Sequence, residues 1–340
     1  MRLGRKEARV SRLLIVGSVA FDDLELPLRS SASPKWEMNK DVWGGSASYA
    51  SLAASLFTPV DLVAVIGEDF PQKNLDALRE RGVDCAGVER VKGKSFRWAG
   101  RYDSTLSSRT TLDTQLNVFA DFRPRIPAAA ARAPFVLLGN IHPALQIEVL
   151  DQCEKQGGKP KLVVADTMNF WIEGERATLD KLLARVDVLV INDEEARQLG
   201  GHHNVSRAAQ AIRAMGPKQL VVKRGEFGAL LFDGPASERT TFFAPAYPLE
   251  DVFDPTGAGD TFAGGFLGYL AHVDSLGGTV DRAAMRRAIV AGSALASFCV
   301  EAVGPQRLLT VTGNELRDRL SAFKALVHVE HELDALTLLR

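Results

Sequence analysis

The strongest constraint on the fold is a series of short apolar runs, rich in Val, Leu and Ile, that recur along the chain. They cover residues 13–16, 60–66, 135–138, 162–165, 186–191 and 220–222. Because polar residues do not alternate regularly within them, these runs are typical of strands buried on both faces of a parallel sheet. Each is followed by a turn signal and then by a stretch with helical spacing. The pattern predicts an α/β fold with a doubly wound, mostly parallel sheet flanked by helices.

Two segments depart from this rhythm. Residues 24–43 and 93–120 alternate β-forming and polar residues and lack helical spacing, as half-exposed antiparallel strands do. We expect them to form a small antiparallel β lid that projects from the main sheet. The prediction assigns residues 12–23, 44–92 and 121–330 to the main α/β domain, and it treats residues 1–11 and 331–340 as flexible or peripheral termini.

Composition excludes several classes of protein. Lys plus Arg number 41 against 42 Asp plus Glu, so no charge surplus favours nucleic acid or an anionic membrane as a partner. The longest uncharged apolar stretch, Ala288 to Val300, is shorter than the about 20 residues that a membrane span needs. The three cysteines are isolated, which is typical of a reducing compartment and predicts a cytoplasmic protein.

The segment of greatest chemical interest starts at Asp254 and reads DPTGAGDTF. A turn of small residues leading into a helix points backbone N–H groups at one spot, where the helix dipole favours negative charge. Gly257, Ala258 and Gly259 are therefore predicted to form an anion hole. Asp260 is predicted to stay ionised and to accept the proton of a hydroxyl that attacks a bound phosphoryl group. The alternative is that these residues only cap a helix.

Further motifs accompany this segment in a fixed order. They are GSVAFD at 17–22, GG at 44–45, VIGED at 65–69, NDEE at 192–195 and KRGEFG at 223–228. Together with DPTGAGDTFAGGF at 254–266, they resemble the signature of the ribokinase-like (PfkB) carbohydrate kinases over roughly residues 12–325. The resemblance implies a ribokinase-like fold and an ATP-dependent kinase that acts on a hydroxyl of a small sugar or sugar-like substrate.

The resemblance matches Asp260 to the catalytic base and also assigns residues to nucleotide binding. Asn192 and Glu195 match an Asn-x-x-Glu motif, in which Glu195 helps to organise Mg²⁺ through water. Gly225 and Gly228 match a turn beside the nucleotide. Lys223, at the end of its strand, matches a phosphate contact. The structural alternatives are a solvated first-turn carboxylate for Glu195 and a simple hairpin for the two glycines.

At the acceptor end, the resemblance assigns four residues to substrate binding. Asp22 matches a carboxylate that accepts hydrogen bonds from substrate hydroxyls, with a turn cap as the alternative. Gly44 and Gly45 match a glycine pair that brings backbone close to the acceptor. Asn169 follows a predicted strand, at the sheet edge where ligands of open α/β sheets bind.

Some members of the resembled family bind a monovalent cation such as K⁺ near the anion hole. Asp254 and Thr256 occupy the matching positions, although Pro255 replaces the commoner Thr. We retain a K⁺ site at Asp254 and Thr256 as an expectation of the resemblance.

The acceptor is left open between a sugar and a nucleoside. Ala20 and Tyr49 stand where ribokinase-type members often carry Asn, which weakens an assignment to free ribose. Phe96, Trp98 and other aromatic side chains are able to stack on a sugar or a nucleobase. A nucleoside kinase of the same family is therefore the first alternative.

A second alternative is a non-catalytic regulator that binds a sugar or nucleotide. A dehydrogenase would also suit the alternation of strands and helices, but Gly257 and Gly259 lack the third glycine of a dinucleotide fingerprint. The resemblance also implies a homodimer that pairs through the lid.

Overall fold

The computed structural model describes residues 11–28, 35–234 and 240–326. Most of the two predicted peripheral termini lies outside these ranges. Ser11 is described, and it is buried, with its Oγ donating to the Asp274 carboxylate at 2.6 Å. This residue is therefore part of the packed domain and not of a peripheral terminus.

The strands of the described residues form two sheets. In chain order they are β1 (Leu13–Val16), β2 (Ala20–Pro27), β3 (Trp36–Gly44), β4 (Val60–Ile66), β5 (Val83–Arg90), β6 (Phe96–Tyr102), β7 (Arg109–Gln115), β8 (Phe135–Leu138), β9 (Leu162–Ala165), β10 (Val188–Asn192), β11 (Gln219–Lys223), β12 (Ala229–Phe232) and β13 (Thr241–Ala244).

Helices connect most of the strands of the larger sheet. In chain order they are α1 (Ser46–Ala54), α2 (Gln72–Glu80), α3 (Pro143–Lys155), α4 (Asn169–Gly174), α5 (Arg176–Leu183), α6 (Asp193–Gly200), α7 (Val205–Ala214), α8 (Ala258–Ser275), α9 (Arg282–Cys299), α10 (Gln306–Thr310) and α11 (Gly313–Leu326). No helix within the described ranges is both long and apolar enough to cross a membrane.

The larger sheet has nine strands in the order β13-β12-β11-β10-β9-β8-β1-β4-β5. Its strands are parallel from β5 to β11, and β12 and β13 are antiparallel to their neighbours. The chain first builds outward from β1 to β5 and then returns to the other side of β1 with β8. Ligands of open α/β sheets bind at the carboxyl ends of the strands near such a reversal. This topology confirms the predicted doubly wound sheet.

The apolar runs form these strands because both faces of the sheet are covered. Alternate residues of β1 pack into different cores, with Leu13 and Ile15 on one face of the sheet and Leu14 and Val16 on the other. This alternation follows from the two-residue repeat of a strand.

The smaller sheet is the predicted lid, with the order β3-β2-β6-β7. Its two outer pairings are antiparallel and the central pairing of β2 with β6 is parallel. The sheet begins at Ala20 and not at residue 24, because β2 pairs with β3 and β6 from that residue onward. Residues 20–23, which the sequence placed in the main domain, therefore belong to a lid strand.

Helix α8 packs closely against the backbone of α1 at two of its glycines. A Cβ atom on Gly264 would lie 2.2 Å from the carbonyl oxygen of Ala50, and one on Gly268 would lie 2.9 Å from the Cα atom of Ala54. These glycines let the two backbones touch, and that contact fixes where the amino end of α8 lies.

We predict that Gly264→Ala destabilises the fold by about 1–3 kcal/mol, because the added methyl group meets backbone that cannot rotate away. Urea unfolding followed by circular dichroism measures this change. Gly174→Ala in α4 is the matched control, since nothing lies within 4 Å of its Cβ position. Equal stability of the two variants would contradict the proposed backbone contact.

Candidate active site

The carboxyl ends of three neighbouring parallel strands bring charged side chains together. Asp166 follows β9, Asn192 ends β10 and Lys223 ends β11, where it lies beside Asn192 in the register. The Lys223 ammonium is 3.7 Å from the Asp166 carboxylate. Burial opposes its charge, but Asp166 and Glu195 outweigh that effect and raise the pKa of Lys223.

The amino end of α8 faces this group. Gly257 is the N-cap and has a left-handed backbone with φ of 75°. Among the described residues, the N–H groups of Gly257 and Gly259 have no hydrogen-bond acceptor. The N–H of Ala258 donates to the carbonyl of Pro255 at 3.2 Å. Two of the three predicted anion-hole residues therefore have free amides, and the Ala258 amide is used within the turn.

Both glycines are required by their surroundings. A Cβ on Gly257 would lie 2.4 Å from the ring of Tyr49, and a Cβ on Gly259 would lie 2.9 Å from Nζ of Lys223. Gly259 thus lets the ammonium group approach the helix amino end. Free amides, a helix dipole and an ammonium group together form a site for an anion.

Asp260 lies in the first turn of α8 and is partly exposed to solvent. Burial, reinforced by the negative charge of Asp166, raises its pKa to about 7, although Lys223 opposes the rise. Burial therefore outweighs the helix position that was expected to keep Asp260 ionised, and its ionised state stays a prediction. The carboxyl group instead titrates near neutral pH, where an acid–base group works best.

Asn192 and Glu195 form a reciprocal capping box at the start of α6. The Asn192 side chain accepts from the Glu195 N–H and the Glu195 carboxylate accepts from the Asn192 N–H, both at 2.8 Å. Glu195 is only 5% exposed, so it is not a solvated surface carboxylate. Burial and the charge of Asp166 raise its pKa to about 7.

The carboxylates fit a divalent cation held mainly through water. The negative charge of Asp166 raises the pKa of both Glu195 and Asp260, and a cation would relieve that repulsion. Within the described ranges, no three His, Cys, Asp or Glu side chains converge closely enough to hold a metal directly. Mg²⁺ commonly keeps several waters and takes other ligands from substrate phosphates, so this arrangement fits Mg²⁺ only together with a nucleotide.

Gly225 and Gly228 lie in the turn between β11 and β12, and both have positive φ angles, of 55° and 86°. A Cβ on Gly228 would lie 2.1 Å from the carbonyl oxygen of Ala244, whereas Gly225 has open space around it. Gly228 is therefore explained by local packing, and only Gly225 leaves room beside the turn for a ligand.

Asp254 joins the segment before α8, residues 254–257, which we call the site loop, to Gly304 in the connection between α9 and α10. It is fully buried, and its two carboxylate oxygens accept from the N–H groups of Thr256 at 2.9 Å and Gly304 at 2.8 Å. These bonds explain the residue without a cation. Each oxygen of the Asp254 carboxylate thus already accepts one backbone hydrogen bond, and the K⁺ site stays a prediction.

Asp22 lies on the lid strand β2 and is 5% exposed. Burial, with the charges of Asp254 and Asp260, raises its pKa well above the ordinary value. No hydrogen-bond donor among the described residues contacts its carboxylate. A buried acceptor without a partner is costly, and a ligand with hydroxyl groups would supply the missing donors.

The glycine pair shapes the backbone around Asp22. A Cβ on Gly44 would lie 2.0 Å from the Asp22 carboxylate, so only glycine lets β3 pass so close. Gly45 has φ of 95° and begins α1 as its N-cap. Asn169 is the first residue of α4, and no hydrogen bond among the described residues joins it to the other candidates. Its assignment to substrate binding stays a prediction.

Sequence analysis missed the contact between the lid and the site loop. The hydroxyl groups of Tyr102 and Thr256 are 3.0 Å apart, across 154 positions of the sequence. Arg109, opposite Tyr102 in the lid, was also missed. No local pattern identifies these residues, since their positions depend on how β6 and β7 pair.

The chain is similar to known proteins in sequence. The sequence profile described as pfkB family carbohydrate kinase matches residues 11–311. The cytidine kinase of Thermococcus kodakarensis is 32% identical over 261 residues, which cover 75% of this chain and 87% of that protein.

Two solved structures have the same fold. The ribokinase of Arabidopsis thaliana, complexed with ribose and ATP, has a TM-score of 0.69 and 24% identity and covers 92% of this chain and 99% of its own. The nucleoside kinase of Burkholderia thailandensis, in complex with inosine, has a TM-score of 0.69 and 20% identity over the same shares.

We predict that Asp260→Asn raises the melting temperature at pH 8 by a few degrees. A carboxyl group whose pKa is raised on folding makes the fold less stable as the pH rises from the ordinary pKa of aspartate to the raised pKa of about 7. The amide abolishes that charge, so the gain at pH 5 should be smaller than at pH 8. A change of about 1 kcal/mol in the free energy of unfolding moves the melting temperature by about 2–4 °C in large domains. Scanning calorimetry resolves a shift of this size.

Asp76→Asn provides the control for this stability experiment. Asp76 lies on α2, and its hydrogen bonds from Gln72 and Arg79 lower its pKa, so its replacement should give no gain that grows with pH. A melting temperature of Asp260→Asn that is below wild type at both pH values would count against the burial of this carboxylate charge.

Proposed function

Because the chain belongs to the pfkB family of carbohydrate kinases, we propose that it transfers the γ-phosphoryl group of ATP to a hydroxyl of a small sugar or sugar-like substrate. Kinases of this family are phosphotransferases with alcohol acceptors. In the proposed reaction Asp260 is the base, and the amino end of α8 binds the phosphoryl group.

One observation carries this proposal. Asp22 and Asp260 are two carboxylates close enough for the charge of one to raise the pKa of the other, and no side chain among the described residues neutralises Asp22 by an ion pair. The free amides of Gly257 and Gly259 lie at the start of the same helix as Asp260. A hydroxyl compound bound by Asp22 would face both a base and an anion hole.

The proposed reaction is a direct displacement. The acceptor oxygen attacks the γ-phosphorus, the bond from that phosphorus to the β-phosphate oxygen breaks, and ADP leaves with that electron pair. Asp260 accepts the hydroxyl proton. The N–H groups of Gly257 and Gly259 face the negative oxygens of the migrating group, and such positioning accounts for most catalysis of phosphoryl transfer.

When bound with ATP, Mg²⁺ would neutralise phosphate charge, and Glu195 and Asp166 are the carboxylates that would hold its waters. Lys223 lies beside Gly259 and is suited to contact a phosphate oxygen. Gly225 lies next to the open side of the β11–β12 turn, where the rest of the nucleotide has room. The lid would exclude water that otherwise hydrolyses ATP.

A nucleoside acceptor is a second candidate, favoured by one feature of the lid. Asp22 is aligned with Trp98 across the parallel pair β2 and β6, so both side chains project from the same face. A carboxylate for sugar hydroxyls beside an indole for a base would suit a nucleoside. The identity to a cytidine kinase supports this candidate.

Other expectations remain predictions. These are a cytoplasmic location, a K⁺ requirement and a homodimer through the lid. Exposed apolar side chains on lid strands, Trp36, Met38 and Leu112, would supply part of such a dimer surface. A non-catalytic regulator remains the rival function, and turnover with any acceptor would eliminate it.

We expect ADP release, measured over a panel of pentoses, hexoses, sugar phosphates and nucleosides, to reveal one acceptor class. Asp260→Asn should lower kcat at least about 100-fold because the proton acceptor is lost, while ATP binding measured by calorimetry persists. The kcat/KM of wild type should fall below pH 7, where Asp260 becomes protonated. Wild-type turnover by Asp260→Asn would refute the assignment of the base.

Asp22→Asn should raise the KM of the acceptor about tenfold or more and leave the KM of ATP nearly unchanged, because a carboxyl group that hydrogen-bonds the substrate is lost at the hydroxyl end only. Asp23→Asn is the matched control, since the Asp23 carboxylate accepts from the N–H of Asp41 in the lid. A larger effect on the KM of ATP than on the KM of the acceptor would show that Asp22 lies at the nucleotide end of the site.

A further inference from the structure

The lid carries an arginine that faces the site loop. Arg109 at the start of β7 lies directly opposite Tyr102 at the end of β6. Residues opposite each other in neighbouring strands project from the same face of a sheet. Because the Tyr102 hydroxyl reaches Thr256 in the site loop, the face that carries Arg109 is the one turned toward the amino end of α8.

An aromatic surface lies beside this arginine. The ring of Trp98 lies so close over Gly100 that a Cβ there would be 2.1 Å from it. The guanidinium carbon of Arg109 is 5.7 Å from the centre of the same ring, within the range of a cation–π interaction. Trp98 in turn is aligned with Asp22, so the guanidinium group is held beside the candidate acceptor carboxylate.

Arg109 differs from the neighbouring arginines of β6. Arg97 is paired with Asp41 and Arg101 with Glu25. Within the described ranges, Arg109 has no carboxylate within ion-pair distance. Burial raises the pKa of Asp22, Asp166 and Asp260, and the positive charge of Arg109 opposes the rise in all three. The positive charge of Arg109 therefore acts on carboxylates at both ends of the site, although it forms no ion pair with any of them among the described residues.

We propose that Arg109 is a further catalytic residue, which the lid places against the migrating phosphoryl group, and that Tyr102 positions it through the hydroxyl contact with Thr256. This inference rests on the proposed kinase reaction. The phosphoryl group carries negative charge on three oxygens, and Lys223 is already shared with Asp166. A guanidinium group presents several donors in one plane and binds two such oxygens at once.

The proposal makes closure of the lid part of catalysis. Arg109 is exposed, so it can leave the Trp98 ring at little cost when an anion arrives. When ATP binds without an acceptor, the lid would not close fully, and transfer of the phosphoryl group to water would be slow. The lid would then contribute charge stabilisation as well as exclusion of water.

The test compares Arg109→Ala with Arg101→Ala, a matched loss of one lid arginine, using the acceptor found by the screen. We expect Arg109→Ala to lower kcat about 100-fold or more, since a phosphoryl-contacting arginine typically contributes at least that much. Arg109→Lys should recover only a small part of kcat, and added guanidinium ion should partly rescue Arg109→Ala. Arg101→Ala should stay within about twofold of wild type.

The positioning role of Tyr102 needs a readout that loss of stability would not give. Tyr102→Phe should lower kcat in the presence of Arg109 and have no further effect in the Arg109→Ala background. Additive losses of kcat would overturn that role. Equal kcat for Arg109→Ala and Arg101→Ala, or an Arg109→Ala defect confined to the KM of acidic acceptors, would overturn the proposal for Arg109.

Binding of nucleotides separates this proposal from the proposed function. Calorimetry with Mg²⁺ should show that Arg109→Ala weakens ATP binding and leaves ADP binding unchanged, because only ATP carries the γ-phosphoryl group. An absence of turnover with every acceptor would count against the kinase proposal alone. Equal losses of ATP and ADP affinity would count against Arg109 as a γ-phosphoryl contact.

Discussion

The negative charges of Asp166, Glu195 and Asp260 all act on the ammonium group of Lys223 and raise its pKa. Burial and the negative charge of Asp166 raise the pKa of Glu195 and of Asp260 to about 7. Carboxylates in such a place destabilise the fold unless cations balance them. The carboxylates lie close together because the parallel strands end at one edge of the sheet. The excess of negative charge at that edge suits a ligand that brings its own cation.

The rest of the structure positions two groups around this charged cluster. Close contact of α8 with α1 places Gly259 beside Lys223 and Gly257 beside the ring of Tyr49. The lid sheet brings Asp22 and Trp98 to the opposite side, and the contact of Tyr102 with Thr256 ties the lid to the site loop. The phosphate end of the site thus depends on the rigid main domain, and the acceptor end depends on the lid.

Much of this was predictable from the sequence because it depends on local pattern. The apolar runs predicted the parallel sheet, and the small-residue turn before Asp260 predicted a helix amino end. Features that depend on pairing were not predictable. The start of the lid sheet at Ala20 required knowing the partners of β2, and the place of Arg109 depends on an irregularity in the β6–β7 register between Ala99 and Gly100.

The raised pKa of Asp260 is another feature that could not be predicted from the sequence. Its helix position favours the ionised form, but burial beside Asp166 is the larger effect and appears only when distant strands meet. Likewise, the Ala258 N–H donates to the Pro255 carbonyl within the turn. One of the three amides that the motif predicted for the anion hole is therefore not free.

The most direct test is a crystal structure with Mg²⁺ and a non-hydrolysable ATP analogue. The account predicts the terminal phosphate within about 2.7–3.2 Å of the N–H of Gly257 or Gly259, with the Asp260 carboxylate and the Lys223 ammonium facing it. A triphosphate bound elsewhere, with Asp260 turned away from its terminal phosphate, would contradict the account.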